Sequence, residues 1–198
     1  MQYQKEEVRA RILAAALDEF EEHGYLGAQV RRIAERAGVS TGNLYRYFAS
    51  KDDIFDTIVR ASYERISALM ADAASFCSGS QVSGGIRGLA GHLAAGIVEV
   101  YATHGRQLTI IHEKSVGSRH ENFLPTVTAM IHERMRTELA REGLVADDTL
   151  LNLIAVGFFS GMVMLLRTVQ EPARLQELIS RMLLFFFDDL ERRLMVPH

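Results

Sequence analysis

Apolar positions recur at helical spacing along most of the chain, and the strict alternation typical of β-strands is hard to find. In the N-terminal segment this apolar stripe consists of Val8, Ile12, Ala15, Ala16 and Phe20. Gly24 follows at the position where many helices end in a left-handed glycine, and Tyr25 can then pack back. Prolines are few, and Ala, Leu, Glu and Arg dominate. The pattern therefore predicts an all-α fold.

Two short helical segments follow, joined by a tight turn. The segment 28–37 carries apolar residues on one side and is expected to end at Gly38. Ser40 can cap the next segment, 41–48, in which two apolar residues four positions apart point inward. Two helices joined by a glycine turn are typical of a helix-turn-helix, although a simple αα-hairpin that binds nothing has the same pattern.

Positive charge is concentrated in these two segments. From residue 31 to residue 51 there are five basic residues and one acidic residue, whereas residues 1–56 together hold eight basic and ten acidic residues. The whole chain has a net charge of −3. A local positive surface on a slightly acidic chain is expected where a protein meets duplex phosphates, so the charge favours DNA binding over the inert hairpin.

The segment 33–55, IAERAGVSTGNLYRYFASKDDIF, resembles the DNA-binding signature of the TetR family of bacterial transcriptional regulators. The resemblance rests on the pieces IA, AGVS, LY, YF and SK at their usual separations and covers roughly residues 5–56. Beyond it the chain is similar to the family only in length and helical content. The resemblance implies an N-terminal three-helix helix-turn-helix domain, residues 1–50, and a larger C-terminal helical domain for ligand binding and dimerisation, residues 51–198.

The resemblance also implies that residues 41–48 form the recognition helix in the major groove of double-stranded DNA. Asn43 would read base edges through its amide, and the tyrosine hydroxyls and the start of the following helix would hold phosphates. The expected DNA contacts are Thr41, Gly42, Asn43, Tyr45, Arg46, Tyr47 and Lys51. Base and phosphate contact are both open for Thr41 and Arg46. A solvated helix face fits Arg31, Arg32 and Arg36 equally well.

The sequence departs from the family pattern just before the second helix. The family usually has Thr or Ser there, which caps the helix and touches a phosphate, but this chain has Ala28 and Gln29. The missing cap is expected to cost about 1 kcal/mol unless Gly27 or Gln29 substitutes, and one usual phosphate contact is in question.

The remaining chain is also predicted to be helical. Helices are expected at about 51–76, 84–104, 106–116, 121–142, 147–169 and 172–195, with a Ser/Gly-rich loop after the first of these. The last two are too apolar for a monomer surface, and Gly157 and Gly161 permit a close helix approach. We expect a homodimer through these two helices, with an intrachain core as the alternative. The run 150–166 is shorter than the ~20 residues of a membrane span.

Apolar and aromatic residues of the central helices predict a pocket for a small apolar or aromatic effector molecule. The expected ligand contacts are Tyr101, Ile111, His112, Phe123, Met130, Phe158, Phe159 and Met162. Residues of these types at helical spacing also fit an ordinary core, which is the alternative.

The chain shows no P-loop, no Rossmann glycine pattern and no nucleophile elbow, and its histidines lack metal-ligand spacing. Cys77 is the single cysteine, which excludes an intrachain disulfide. We therefore expect a cytoplasmic protein without cofactor, metal site, enzymatic activity or membrane segment. The leading hypothesis is a ligand-responsive repressor that binds a palindromic operator as a homodimer; activation, or a ligand that promotes DNA binding, stays open. An enzyme and an architectural helical module are the alternatives.

Overall fold

A computed structural model of the chain describes residues 2–78, 85–141 and 143–194, without the side chains of residues 2–4, 70, 72–78, 85, 86 and 191. Cys77 is among those side chains, so its role lies outside the described residues. Every regular element in the described ranges is a helix, which confirms the all-α prediction. The helices are α1 (Gln2–Gly27), α2 (Val30–Arg36), α3 (Thr41–Leu44), α4 (Lys51–Ser78), α5 (Gly85–Glu113), α6 (Phe123–Arg141), α7 (Asp148–Thr168), α8 (Pro172–Phe187) and α9 (Leu190–Leu194).

The turns of the N-terminal helices follow from local sequence. Gly24 has φ 65° and breaks α1 before its last turn, and Gly38 has φ 66° between α2 and α3. Both values lie in the left-handed region, which glycine adopts without the penalty a Cβ would bring. The Ser40 side chain accepts a hydrogen bond from the Asn43 amide at 3.2 Å and caps α3, as the sequence predicted.

The recognition segment is a shorter helix than predicted. It is regular only through Leu44, after which the Tyr47 amide donates to the Leu44 carbonyl and tightens the chain into a turn. Leu44 and Phe48 remain buried, at 0% and 2% exposure. They anchor this segment in the same core as Ile12, Phe20 and Ile33.

The chain divides into two compact units. The first unit combines Met1–Arg65 with His104–Phe123, and the second combines Ile66–Thr103 with Leu124–His198. A break was expected near residue 105, and α5 does lose helical geometry at His104, where φ is −130°. The functional division after residue 50 stays a prediction, because compactness alone does not assign function to either part.

In the second unit, α7 and α8 each bury one apolar face. The buried residues are Leu151, Ala155, Phe158 and Met162 on α7 and Leu175, Ile179 and Leu183 on α8. Pro172 occupies the first turn of α8, where its missing amide hydrogen costs no helical hydrogen bond. The predicted helix 172–195 is wrong in its extent, because α8 ends at Phe187 and Asp189 takes a φ of 52° before α9 begins.

The opposite face of α7 is apolar and exposed. Leu153 is 63% exposed and Met164 is 67% exposed, and Val156 and the open Gly157 lie between them. Among the described residues, α7 is the one helix long and apolar enough to cross a membrane by length and composition, and 22% of its apolar window is buried. The core helix of a soluble protein passes the same test, so this finding is weak support for a membrane segment.

Candidate nucleic-acid interface

The residues around α3 separate into a buried pair and an exposed polar set. Tyr45 is 51% exposed, Arg46 is exposed, and Thr41, Asn43 and Tyr47 are partly exposed. A Cβ placed on Gly42 would meet no atom within 4 Å, so the backbone there is open to close approach. The structure therefore brings together, on one short segment, six of the seven residues that the sequence predicted as DNA contacts.

The start of α2 is organised by a residue that the sequence analysis missed, Glu19 of α1. No side chain caps α2 at Gln29, but the Gln29 amide donates to Glu19 Oε1 at 3.0 Å. Arg32 Nε donates to the same oxygen at 2.7 Å. Glu19 is fully buried, and its carboxylate lies at the N-terminal end of α2, where negative charge is favourable. The Glu19 carboxylate thus fixes the residue that precedes α2, whereas a Thr or Ser cap would accept from an amide inside the helix.

The pKa of Glu19 is lowered by these contacts. Burial alone raises the pKa of a carboxyl group, but the hydrogen bonds from Arg32 and from the Gln29 amide, with the charge of Arg32, outweigh it. The sequence did hold a signal, since Glu19 is an acid directly beside Phe20 on the buried stripe of α1. A charged residue in such a place is rarely buried without a partner.

The arginines of α2 are committed to carboxylates. Arg32 binds Glu19, and Arg36 Nη2 lies 2.6 Å from Glu22 Oε2 in a two-bonded pair. Arg31 pairs with Glu35 at 2.8 Å on an exposed helix face. The positive charge counted along residues 31–51 is thus largely compensated from within the domain. The sequence count overstated it because Glu19 and Glu22 lie outside that window.

Lys51 has a structural role that the sequence did not indicate. Its Nζ donates to the carbonyls of Tyr25 at 2.7 Å and of Ala28 at 3.3 Å, and it lies 4.3 Å from the centre of the Tyr25 ring. The ammonium therefore satisfies carbonyls at the end of α1. The phosphate contact of Lys51 stays a prediction. The ammonium group that would make it already donates to the carbonyls of Tyr25 and Ala28.

The start of α4 is capped by two reciprocal hydrogen bonds. The Ser50 hydroxyl accepts from the Asp53 amide at 3.1 Å, and Asp53 Oδ2 accepts from the Ala49 amide at 2.9 Å. This reciprocal arrangement differs from a standard capping box only in that Asp53 reaches Ala49 instead of Ser50. It fixes the chain between the recognition segment and α4.

Tyr25 ties α1 to α4. Its hydroxyl donates to Asp52 Oδ1 at 2.7 Å, and its ring packs edge-on against Phe55 at 5.2 Å. Burial, followed by the hydrogen bond to the negatively charged Asp52, raises the pKa of Tyr25 to about 12. The hydroxyl therefore stays protonated and keeps this bond at any physiological pH.

The segment His104–Phe123 belongs to the same unit as the helix-turn-helix and is bonded to α1. Arg106 Nη2 lies 2.6 Å from both Asp18 Oδ1 and Glu21 Oε2. The Tyr25 amide donates to the Lys114 carbonyl at 2.8 Å. These contacts were not predictable from the sequence, because they join residues far apart in the chain and no local pattern marks them.

The same segment is bonded to α4 through Asp56. This buried carboxylate lies 3.1 Å from Arg119 Nη2 and 3.0 Å from His120 Nε2, and it also binds Arg60 on its own helix. Burial raises the pKa of Asp56, but the hydrogen bonds from Arg60 and His120 and the charge of Arg119 lower it further than burial raises it. Asp56 is thus a charged link between α4 and the α5–α6 connection.

The predicted effector contacts fall in both units. Ile111, His112 and Phe123 belong to the first unit, and Tyr101, Met130, Phe158, Phe159 and Met162 belong to the second. Ile111, Phe123, Phe158 and Met162 are buried, whereas Met130 is 39% exposed. Phe158 packs against Phe186 and Phe187, with ring centres 5.5 and 4.9 Å apart. Among the described residues, no three His, Cys, Asp or Glu side chains group as metal ligands.

The helices α2 and α3 are joined by a turn at Gly38, and the α3 segment presents exposed polar residues. Together with α1 they form a helix-turn-helix DNA-binding domain. Residues 12–58 match the family described as bacterial regulatory proteins, tetR family. This match assigns residues 12–58 to the DNA-binding domain of the TetR family.

Similar proteins agree with this assignment. The HTH-type transcriptional repressor KstR from Mycolicibacterium smegmatis is 42% identical over 74 residues, which is 37% of this chain and 36% of that protein. The match thus spans well under two thirds of that relative. A TetR-family regulator from Bordetella parapertussis 12822 has a TM-score of 0.62 at 18% identity, over 96% of this chain and 98% of that one. FadR from Bacillus subtilis, solved in complex with stearoyl-CoA, has a TM-score of 0.52 at 17% identity, over 88% of this chain and 97% of that one. These structures share the fold, and the relatives are transcriptional regulators.

Proposed function

We propose that this protein is a ligand-responsive transcriptional repressor that binds a palindromic operator as a homodimer. The observation that carries the proposal is the division of the α3 segment. Leu44 and Phe48 are buried and fix its orientation, while the polar residues between and before them are presented outward. A short helix held in this way is what a protein inserts into the major groove.

The proposed roles follow from side-chain chemistry. Asn43 reads adenine through its amide, while Tyr45 and Tyr47 donate their hydroxyls to phosphates. Gly42 allows the backbone to approach, and Thr41, Arg46 and Lys51 complete the predicted set. Among the described residues, the guanidinium of Arg46 forms no ion pair, which leaves it available to a base or a phosphate.

The proposed dimer uses the exposed face of α7. Apolar side chains on two opposite faces of one helix are expected when one face packs in the chain and the other packs against a second copy. The exposed face carries Leu153, Val156 and Met164, and Gly157 leaves space for a neighbouring backbone. Two copies related by a two-fold axis would present two recognition helices to a palindrome.

The proposed effector is a small apolar or aromatic molecule bound by residues of the predicted set, such as Phe158 and Met162. The proposal is supported by FadR from Bacillus subtilis, a protein of similar fold that was solved in complex with stearoyl-CoA. Binding would favour a conformation with lower operator affinity. The required coupling free energy is about 1–3 kcal/mol. Within the first unit, bonds of Arg106, Lys114 and Asp56 hold residues 104–123 to α1 and α4.

The proposal is tested with two substitutions in the recognition segment. Tyr47→Phe removes one hydroxyl, so affinity for all sequences should fall by a similar factor. Asn43→Ala removes a base reader, so the preference at one position per half-site should relax by about 1–3 kcal/mol. Both are measured by comparing affinities for an operator and its single-base variants. Two variants that bind like wild type would show that this segment does not contact DNA as proposed.

A further inference from the structure

We infer that Arg9, on α1, is a phosphate contact of the DNA-binding domain, although it lies outside the helix-turn-helix. This inference rests on the proposed DNA-binding function and assigns part of its electrostatics. Phosphate binding requires uncommitted cations, and the arginines of α2 are held by Glu19, Glu22 and Glu35. The charge that attracts the duplex must therefore come from other residues.

Arg9 meets the geometric requirement. Its guanidinium carbon lies 5.2 Å from the centre of the Phe48 ring, and Phe48 directly follows Tyr47 at the end of the recognition segment. Phe48 is only 2% exposed, while Arg9 itself is exposed. The ring thus holds the arginine beside the residues proposed to meet the DNA backbone.

Arg9 also meets the chemical requirement. In the part of the chain that the structure describes, its guanidinium forms no ion pair, even though Glu6 lies one turn away on the same helix. A cation over an aromatic face uses none of its hydrogen-bond donors there, so the five N–H donors of the guanidinium remain for other partners. A planar donor edge matches the oxygens of a phosphate.

Arg36 provides a matched comparison within the same domain. It is also exposed, but both of its terminal nitrogens are bonded to Glu22, at 3.0 and 2.6 Å. Replacing Arg9 or Arg36 with glutamine changes the net charge equally. A difference between the two variants therefore reports direct phosphate contact, since a general change in charge would affect both alike.

The test measures the affinity of wild type, Arg9→Gln and Arg36→Gln for a short mixed-sequence duplex over a series of NaCl concentrations. Phosphate contacts are independent of sequence, so no operator is needed. Arg9→Gln should reduce the steepness of log K against log[NaCl] by about 0.9 per bound protomer. It should weaken low-salt binding roughly tenfold per protomer, as expected for one charge-assisted hydrogen bond. Arg36→Gln should retain the wild-type steepness.

Two more variants separate contact from folding. Arg9→Lys keeps the charge and should keep the salt dependence. Arg9→Met places an unbranched, uncharged side chain over Phe48. It should reduce the slope of log K against log[NaCl] by the same amount as Arg9→Gln. The inference would be overturned if wild type, Arg9→Gln and Arg9→Met all had the same slope of log K against log[NaCl]. It would also be overturned if Arg9→Gln and Arg36→Gln reduced this slope equally. If wild type binds no duplex even at low salt, the proposed function fails and the inference fails with it.

Discussion

At the scale of single residues, the most consequential side chain is one with no proposed DNA contact. Glu19 is buried, accepts hydrogen bonds from the Gln29 amide and Arg32, and lies 3.8 Å from Arg36. It therefore sets the start of α2 and holds an arginine of that helix. A single carboxylate thus fixes the residue before α2 and neutralises Arg32, whose charge would otherwise be available to DNA.

Replacing Glu19 with glutamine should destabilise the protein by about 1–3 kcal/mol, because the hydrogen bonds lose their ionic partner. Folding lowers the pKa of Glu19 below its usual value of 4.5, so its contribution is fully present above about pH 4.5 and is lost as pH falls through the folded value. Urea unfolding of both proteins between pH 3 and 7 measures this effect. The difference between them should be largest at pH 7 and shrink in acid.

Glu22→Gln is the control for this substitution. Glu22 is an exposed partner of Arg36, so its loss should change stability much less. A Glu19→Gln variant as stable as wild type at neutral pH, or with a stability difference that grows in acid, would show that the carboxylate does not organise α2.

At the scale of helices, the α3 segment and α7 each have one buried face and one exposed face. The α3 segment buries Leu44 and Phe48 and presents polar groups outward. In α7, Leu151 and Ala155 pack within the chain while Leu153 and Met164 remain exposed. In the part of the chain that the structure describes, this second face of α7 stays exposed.

The exposed face of α7 leads to a prediction about assembly. Leu153→Glu should weaken self-association at least tenfold, because a dimer would bury an unpaired carboxylate. Folding should be unaffected, since Leu153 is 63% exposed. Val145→Glu, in the fully exposed connection before α7, is the control and should leave association unchanged. Sedimentation velocity over a range of concentrations measures both; identical behaviour of the two variants and wild type would remove α7 from the interface.

Much at this scale was predictable because its causes are local. The positive-φ glycines Gly24 and Gly38, the Ser40 cap and Pro172 at the start of α8 all follow from neighbouring residues. The end of α8 at Phe187 did not, because Leu190 and Leu194 continue the apolar spacing past the break at Asp189.

The functional site was predictable only in part. The motif identified the residues around α3, whose exposure is consistent with that role. The ion pairs of Arg32 and Arg36 were not predictable from spacing, because their partners lie on another helix. Lys51 shows the same limit, since its carbonyl partners precede it by more than twenty residues.

At the scale of the whole molecule, the first unit is not continuous in sequence. It contains the helix-turn-helix together with His104–Phe123, and both α4 and α5 contribute residues to both units. Asp56, Arg106 and the Lys114 carbonyl bond this later segment to the N-terminal helices.

Asp56→Asn should loosen this attachment. The substitution removes the charge that binds Arg119 and His120, so amides of residues 114–121 should exchange with deuterium about tenfold faster. Arg60→Gln is the control, because Arg60 binds Asp56 from within α4 and its loss leaves the other two contacts in place. Unchanged exchange in Asp56→Asn, or equal acceleration in both variants, would show that Asp56 does not hold the segment.

The central claim is that the protein reads DNA as a symmetric pair of α3 segments. The most direct measurement is selection of random duplex DNA on the purified protein, followed by sequencing of the retained molecules. The account predicts enrichment of a palindrome whose half-sites lie about one helical turn, or a multiple of it, apart. Folded protein that enriches no sequence at low salt would contradict it and would favour an architectural helical module.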